Sequence, residues 1–404
     1  MQEQPAGQRD LRLLLAAWTL NLFGDQLAVY VLALRAHSSG YSAVGVAAVL
    51  IAGQLPVVAL SGPAGALADR VDSRRLFIVI PLLQAAIASL LVVTSGIVVP
   101  AALLFALGCG TAVLQPAISA VIPTIAGTGT SLARAMAGLS VAAMLGNAAG
   151  ALSAGIVVEV ANARTALFVD ALSFIALTGL LAAMGTVRRP AGAAGDPRTR
   201  VSAGFRHLLA DPALRTVVAI LTAAFFVASV VNVVEVFYIK DVLKAGDLGF
   251  GVLIAAGIAA TSAGALLAGR LTTAENAAVM SLSAVPLLGA SFIIAAAVPR
   301  LPVALAAYVA GGLANGALIV GARTLVASRT DDAIRGRAFA ALGACVQGAQ
   351  LVAFGTGGLL GRLFAPRPII GVAGVAVTGV GLVGLTVWRA AVAAADAERL
   401  GRPR

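Results

Sequence analysis

Charge is scarce in this sequence. Asp, Glu, Lys and Arg make up 11% of its 404 residues against 60% hydrophobic residues, and the mean hydropathy is +0.99. Soluble domains carry about 25% charged residues, so there are too few here to cover a water-facing surface. Lysine is nearly missing: of 28 basic residues only Lys240 and Lys244 are lysine. The basic residues are spread over many short segments and form no single stripe, which argues against a nucleic-acid partner despite a net charge of +11.

Reactive side chains are equally sparse. Cys109 and Cys345, the two cysteines, both fall inside apolar runs. They exclude a disulfide framework, point to no metal site, and are expected to pack as small apolar residues. The histidines are His37 and His207 alone. No Gly-rich phosphate loop ending in Lys and Ser or Thr occurs, which argues against ATP hydrolysis on this chain. No nucleophile–base arrangement is visible, so the chain is expected not to be an enzyme and to need no cofactor. A membrane enzyme such as a lipid acyltransferase is the disfavoured alternative, because it would need a surface His or nucleophile.

What the sequence has instead is a succession of apolar stretches, each long enough to cross a bilayer as a helix. Twelve spans are predicted: 11–34, 43–67, 76–96, 98–121, 135–159, 164–187, 213–239, 249–271, 277–298, 301–325, 338–363 and 368–388. The first, "LRLLLAAWTLNLFGDQLAVYVLAL", is too long for a signal-peptide core and lacks a small-residue cleavage pattern, so it is expected to be a transmembrane helix. With the N-terminus in the cytoplasm, the outer segments hold only Arg35, Arg164, Lys240, Lys244, Arg300, Arg362 and Arg367. All other basic residues then lie inside, and the positive-inside rule places both termini in the cytoplasm.

The longest polar stretch, 188–212, separates two halves of six spans, 1–187 and 213–404. Its first part has the composition of a flexible linker and its second that of a short amphipathic helix on the inner surface. The halves echo each other. "ARAMAGL" (133–139) matches "GRAFAAL" (336–342), and "GALADR" (65–70) has a worn counterpart in "LLAGR" (266–270). Paired six-span repeats are a transporter architecture with the substrate site at the repeat interface. The expected fold is therefore an all-α membrane protein of twelve transmembrane helices in two pseudo-symmetric six-helix halves.

A dense charge knot sits between spans two and three, in "GPAGALADRVDSRRL". Gly65, Asp69, Arg70, Arg74 and Arg75 in this stretch resemble the loop signature of the major facilitator superfamily, with Asp72 where the superfamily usually has a second Gly. "LNLFGDQLAVYVLAL", with Gly24-Asp25, "FVDALSFIAL" and "RGRAFA" look like the drug and siderophore exporter branch, which includes enterobactin and macrolide exporters. The resemblance implies a major facilitator fold and makes the knot a latch between halves. On the residues alone, Gly65 is expected to allow close helix approach, Asp69 to pair with a base or a helix N-terminus, and the arginines to anchor the inner face. Gly146, Gly150 and Gly155 in "GNAAGALSAG" follow the antiporter motif in part, with Ala151 and Ala154 replacing its Pro and a Gly. They are either a bend and seal or ordinary small-residue packing.

Ionisable residues at membrane depth cost about 2.5–3.5 kcal/mol each on insertion scales and mark candidate sites. Asp25 lies mid-span with Asn21 one turn away, either a proton-coupling or cation-recognition group or a structural carboxyl. Asp170 and Glu235 are further proton-coupling candidates, each with a structural alternative. Glu159 is expected to be solvated at an outer helix end, and Arg323 to snorkel to the cytoplasm. Asn21, Gln26, Gln54, Gln115, Asn147, Asn232, Asn315, Gln347 and Gln350 are the substrate-cavity candidates. The expected function is proton-coupled efflux of a small amphipathic compound by alternating access, from a bacterial cytoplasmic membrane, as a monomer. An importer or uniporter of the same fold stays open.

Overall fold

In a bilayer a backbone without water must satisfy itself, and apolar runs of this length do so as helices. The computed structural model describes residues 5–127, 129–188 and 197–400, and among these it contains helices and connections but no strand. The first part of the expected linker, 189–196, lies outside the described residues. Two units separate by their packing. One comprises Met1–Asp196 and Ile239–Ile258, the other Pro197–Tyr238 and Ala259–Arg404.

The first unit holds α1 (Pro5–Ser38), α2 (Ala43–Ala59), α3 (Ser61–Arg70), α4 (Ser73–Val93), α5 (Val98–Ala126), α6 (Thr130–Val160) and α7 (Ala163–Ala182). α1 packs against α6 and α7, α4 against α7, and α2 against α5. The core between them is built from Leu14, Leu27, Leu91, Leu114, Ile118, Ile122, Leu167, Phe174 and Leu177, each almost fully buried. Large apolar side chains such as Leu83, Val93, Phe168 and Ile175 stay more than half exposed, as a lipid-facing surface requires. The other unit holds α8 (Pro197–Ala210), α9 (Pro212–Phe237), part of α10 (Asp247–Leu271), α11 (Ala277–Ala297), α12 (Leu301–Ser328), α13 (Asp332–Leu363) and α14 (Pro366–Leu400). Here α11 packs against both α12 and α14, and α9 against α13 and α14. α8 is the short helix expected before span seven, and it docks on α13.

Among the described residues, eleven single helices are long and apolar enough to cross a membrane, and the pair α2–α3 makes a twelfth if its two parts are one span. The sequence predicts one straight span over 43–67. Instead the helix bends by 55° at Leu60. The cause is local. Leu60 N–H still donates to Pro56 O and Ala64 N–H to Leu60 O, each at 2.8 Å. Pro63 has no N–H to offer the carbonyl of Ala59, and its ring crowds that carbonyl. The sixth span also ends earlier than expected, at Ala182 and not at 187. Side chains take over the backbone that follows. Asp10, buried at the start of α1, accepts from Gly185 N–H (3.2 Å), Thr186 N–H (2.7 Å) and Thr186 Oγ1 (2.5 Å).

Two glycines of the fifth span fix how closely α6 approaches α1. A methyl group on Gly146 would collide with the carbonyl oxygen of Thr19, and one on Gly150 would lie 2.5 Å from that of Phe23. α6 runs unbroken through both positions, so close packing, not a bend, is what this motif produces here. Gly65 is the opposite case. Nothing lies within 4 Å of where its Cβ would be, so the close approach expected there does not occur. Gly150→Leu is therefore expected to overpack the α1–α6 contact and cost about 1–3 kcal/mol. Gly65→Ala, inside a helix with open space, should be neutral or stabilising by up to about 1 kcal/mol. Thermal unfolding of the two variants in detergent tests the contrast.

Asp211 opens α9. Its carboxylate accepts from Ala213 N–H (2.8 Å) and Leu214 N–H (3.2 Å), Pro212 stands at the first helical position, and Arg329 approaches to 3.3 Å. Burial works against its ionisation, but the Leu214 and Ala213 amides and the Arg329 guanidinium outweigh burial and hold the carboxyl below its usual value. The stabilisation is therefore present above the ordinary pKa of about 3.9 and lost as pH falls through the lowered folded value. Asp211→Ala should cost about 0.5–2 kcal/mol near neutral pH, and the gap to the parent protein should close as unfolding is measured at progressively more acidic pH below about 4.

Candidate functional site

A carboxylate buried among apolar side chains must find donors on neighbouring helices. Asp25 of α1 finds two, both neutral. Asn21 Nδ2, one turn earlier on the same helix, donates to Asp25 Oδ2 at 3.2 Å. Thr111 Oγ1 of α5 lies 3.2 Å from each carboxylate oxygen. Thr111 is in turn held by Gln84 of α4, whose Nε2 donates to Thr111 Oγ1 (3.2 Å) and to Leu107 O (3.1 Å). A hydroxyl has one proton, so the chain has a direction: Gln84 donates to Thr111, and Thr111 donates to Asp25. Gln84 is 1% exposed and Asn21 0% exposed, whereas Asp25 itself is half-buried.

Asp170 of α7 packs against the same helix α1 at Gly24. It is fully buried, and neither carboxylate oxygen has a hydrogen-bond partner among the described residues. Its Oδ1 lies where a side chain on residue 24 would be. A Cβ built on Gly24 falls 2.6 Å from Asp170 Oδ1 and 2.8 Å from Ser173 Oγ. Gly24 is thus what lets α7 bring its carboxyl up to the backbone of α1 beside Asp25. The structural hydrogen bond offered as an alternative for Asp170 is not formed here; Ser173 Oγ donates instead to the backbone carbonyl of Asp170 at 2.7 Å.

Of the residues singled out from sequence, Asn21, Asp25 and Asp170 gather in the first unit. Asn147 of α6 has its Oδ1 buried without a partner among the described residues, and Gln26 packs where α6 presents Gly150. Gln54, Asn315, Gln347 and Gln350 are half-buried, and Gln115 and Asn232 are exposed. Glu235 sits in the other unit and accepts from Tyr308 Oη at 3.3 Å. A cavity of about 500 Å³ in that unit lies between α8, α9 and α13, apolar but for Arg215 and Thr222, with Phe205, Phe226 and Val227 among its walls. Thr111 and Gln84 escaped the sequence reading. Gln84 carried a signal, as the one amide in its span, while Thr111 in "GCGT" carried none, because Thr packs readily in apolar helices.

The charge knot is mostly helix. Gly65, Asp69 and Arg70 end α3, and only Val71 and Asp72 connect it to α4. Asp72 caps α4 by accepting from Arg74 N–H at 2.8 Å, which explains an acid where the superfamily usually has glycine. Asp69 pairs with Arg188 at 2.9 Å. Arg188 N–H also donates to Ser73 Oγ (2.8 Å), and Ser73 N–H donates to Arg188 O (3.1 Å). The partner of Asp69 therefore belongs to the same unit. Arg70, Arg74 and Arg75 are exposed. Glu159 is not merely solvated as expected. It accepts from Asp247 N–H (2.6 Å) and Leu248 N–H (3.2 Å), capping α10, whose first amides have no helical partner. The π-helical turn Tyr238–Val242 precedes that helix, with Asp241 3.0 Å from His37 and Lys240 2.7 Å from Asp247.

The Asp25 network predicts a specific cost. Thr111→Val keeps the shape but removes the hydroxyl that serves both Gln84 and Asp25, and should lower stability by about 1–3 kcal/mol. Thr111→Ser should retain most of it. Thermal unfolding of the two variants side by side checks this.

A family model described as "Transmembrane secretion effector" matches residues 18–399. No curated protein matches the chain. Among solved structures, an inward-facing, occupied bacterial homologue of the human lysosomal transporter Spinster aligns with a TM-score of 0.74 at 16% identity, covering 96% of this chain and 97% of its own. A POT family transporter in complex with 5-aminolevulinic acid aligns at 0.76 and 12% identity, covering 94% and 96%. The nucleoside transporter NupG aligns at 0.76 and 10% identity, covering 94% and 99%. At such identities the likeness is one of fold. With the family match over nearly the whole length, it shows that the chain is a multi-pass membrane transporter belonging to the transmembrane secretion effector family of the major facilitator superfamily.

Proposed function

We propose that this transporter couples a proton gradient to the export of a small amphipathic compound, of the kind carried by drug and siderophore exporters, with Asp25 as the coupling carboxyl. The observation that carries this reading is the setting of Asp25. It is held by two neutral donors and has no cationic partner among the described residues. A lone carboxylate at that depth is costly when charged, so gain and loss of a proton changes the energy of the site more than any surface titration would. Asp170, without a partner beside Gly24, is the second proton-coupling group of the same site. Glu235 with Tyr308 is a separate candidate in the other unit. The apolar character of the 500 Å³ cavity suits a substrate with a hydrophobic body. The proposed cycle runs in a bacterial cytoplasmic membrane with both termini inside. Protonation of Asp25 from outside releases substrate, and loss of the proton to the cytoplasm readies the site again.

Everted membrane vesicles from an overproducing strain provide the test, using compounds to which overproduction confers resistance. Accumulation should follow an imposed acid-inside gradient. Asp25→Asn should abolish it while the protein remains inserted at normal levels. Undiminished gradient-driven accumulation by Asp25→Asn would overturn the assignment, and accumulation only under the opposite gradient would favour an importer.

A further inference from the structure

The buried polar atoms around Asp25 have a one-sided chemistry. Asn21 spends its amide nitrogen on Asp25, which leaves Asn21 Oδ1 without a partner among the described residues. Both oxygens of Asp170 are likewise without one, and both residues are 0% exposed. Asn21, Gly24 and Asp25 lie three and four residues apart on α1 and so share a face. Asp170 Oδ1 sits against Gly24 on that face. The unmet atoms are all oxygens and all acceptors. Among the described residues, no Lys, Arg or His pairs with either carboxyl. Acceptors in surplus, buried and uncompensated, call for a donor or a cation.

The geometry points to a cation site: we propose that Asn21 Oδ1, Asp25 and Asp170, with Thr111 Oγ1 at its edge, bind a sodium ion. Oxygen-only ligands suit a hard cation and offer nothing to zinc or copper, which favour imidazole and thiolate. No group of three or more His, Cys, Asp or Glu is placed to hold a metal ion among the described residues, and two carboxyls are few charged ligands for calcium and its six to eight oxygens. Magnesium sheds its water reluctantly and asks for a near-ideal octahedral shell, which two carboxyls and one amide oxygen do not complete. One positive charge between two carboxyls reduces the cost of holding them at this depth. The inference deepens the reading of Asp25 as the coupling group, because it gives that group a second occupant besides a proton.

The test is binding, not transport. The purified full chain in detergent, at one alkaline pH and constant ionic strength, is unfolded thermally in NaCl, KCl or choline chloride. Sodium should raise the midpoint in a saturable way, since a ligand that binds only the folded state stabilises it by mass action. KCl should match it less and choline chloride not at all. Asp170→Asn and Asn21→Leu should each remove the sodium-dependent rise. Equilibrium binding of radioactive sodium to the parent protein should saturate at one ion per chain, and this measurement stands even if the variants fold poorly. Equal midpoints in all three salts, or a rise that KCl fully reproduces, would overturn the proposal and leave water or a proton as what meets these oxygens. A sodium effect without any gradient-driven export would leave this site standing while the export reading fell. The reverse result would separate the two the other way.

Discussion

An uncompensated carboxyl inside an apolar bundle is the constraint on which the first unit turns. Asp25 lies in the middle of α1 among apolar residues, and three helices supply its donors and hold them. α1 contributes Asn21, α5 contributes Thr111, and α4 contributes Gln84 to hold Thr111. Gln84 also donates to Leu107 O, and the arrangement leaves acceptors over: Asn21 Oδ1, Gln84 Oε1 and the Asp170 carboxyl. A structural hydrogen-bond network tends to close on itself, with donors and acceptors in balance. This one is left open on the acceptor side, with Asp25 and Thr111 half-buried and the other members buried. That imbalance separates a site that takes up a cation or proton from a polar knot that only ties helices together.

Glycine makes the imbalance possible. Asp170 reaches α1 only because residue 24 has no side chain, and α6 lies against the same helix only because residues 146 and 150 have none. The same helix α6 carries Gly155, which meets the backbone of Gly251, and Glu159, which caps α10. Opposite faces of α6 therefore set the position of the carboxyl-bearing helix and that of residues 239–258, which pack with the first unit although they follow the central linker in sequence. A displacement of α6 would be felt at Asp25 and at the start of α10 alike.

Much of this was legible in the sequence, for a physical reason. Transmembrane helices announce themselves by length and composition, which do not depend on tertiary contacts, and the helices and the acid at position 25 were accessible on that basis. The bend at Leu60 was harder to see. Pro63 sits near the end of an apolar run, where it marks a terminus as readily as a kink. Arg188 looked like one inner-face arginine among many, because a positive-inside count treats all of them alike. Its bonds to Asp69 and Ser73 depend on where the chain turns after α7. Glu159 looked solvated because its partners are backbone amides, which no residue pattern records.

Side chains that bond to other side chains across helices are the least legible class, and the site is made of them. Thr111 is invisible in a Gly- and Ala-rich span until α5 is set beside α1. Asp170 carries its family context but not its partnerless state, which follows from the helix pairing and not from its neighbours in sequence. The sign of the surplus is also hidden. Counting amides and carboxyls gives donors and acceptors in mixture, and only the geometry shows that Asn21 and Gln84 turn their nitrogens to filled partners and their oxygens to empty ones. That orientation distinguishes a pocket for an anion from one for a cation. Here the unmet atoms, Asn21 Oδ1, Gln84 Oε1 and the Asp170 carboxyl, are all acceptors, which is the chemistry of a cation or a donor and not of an anion.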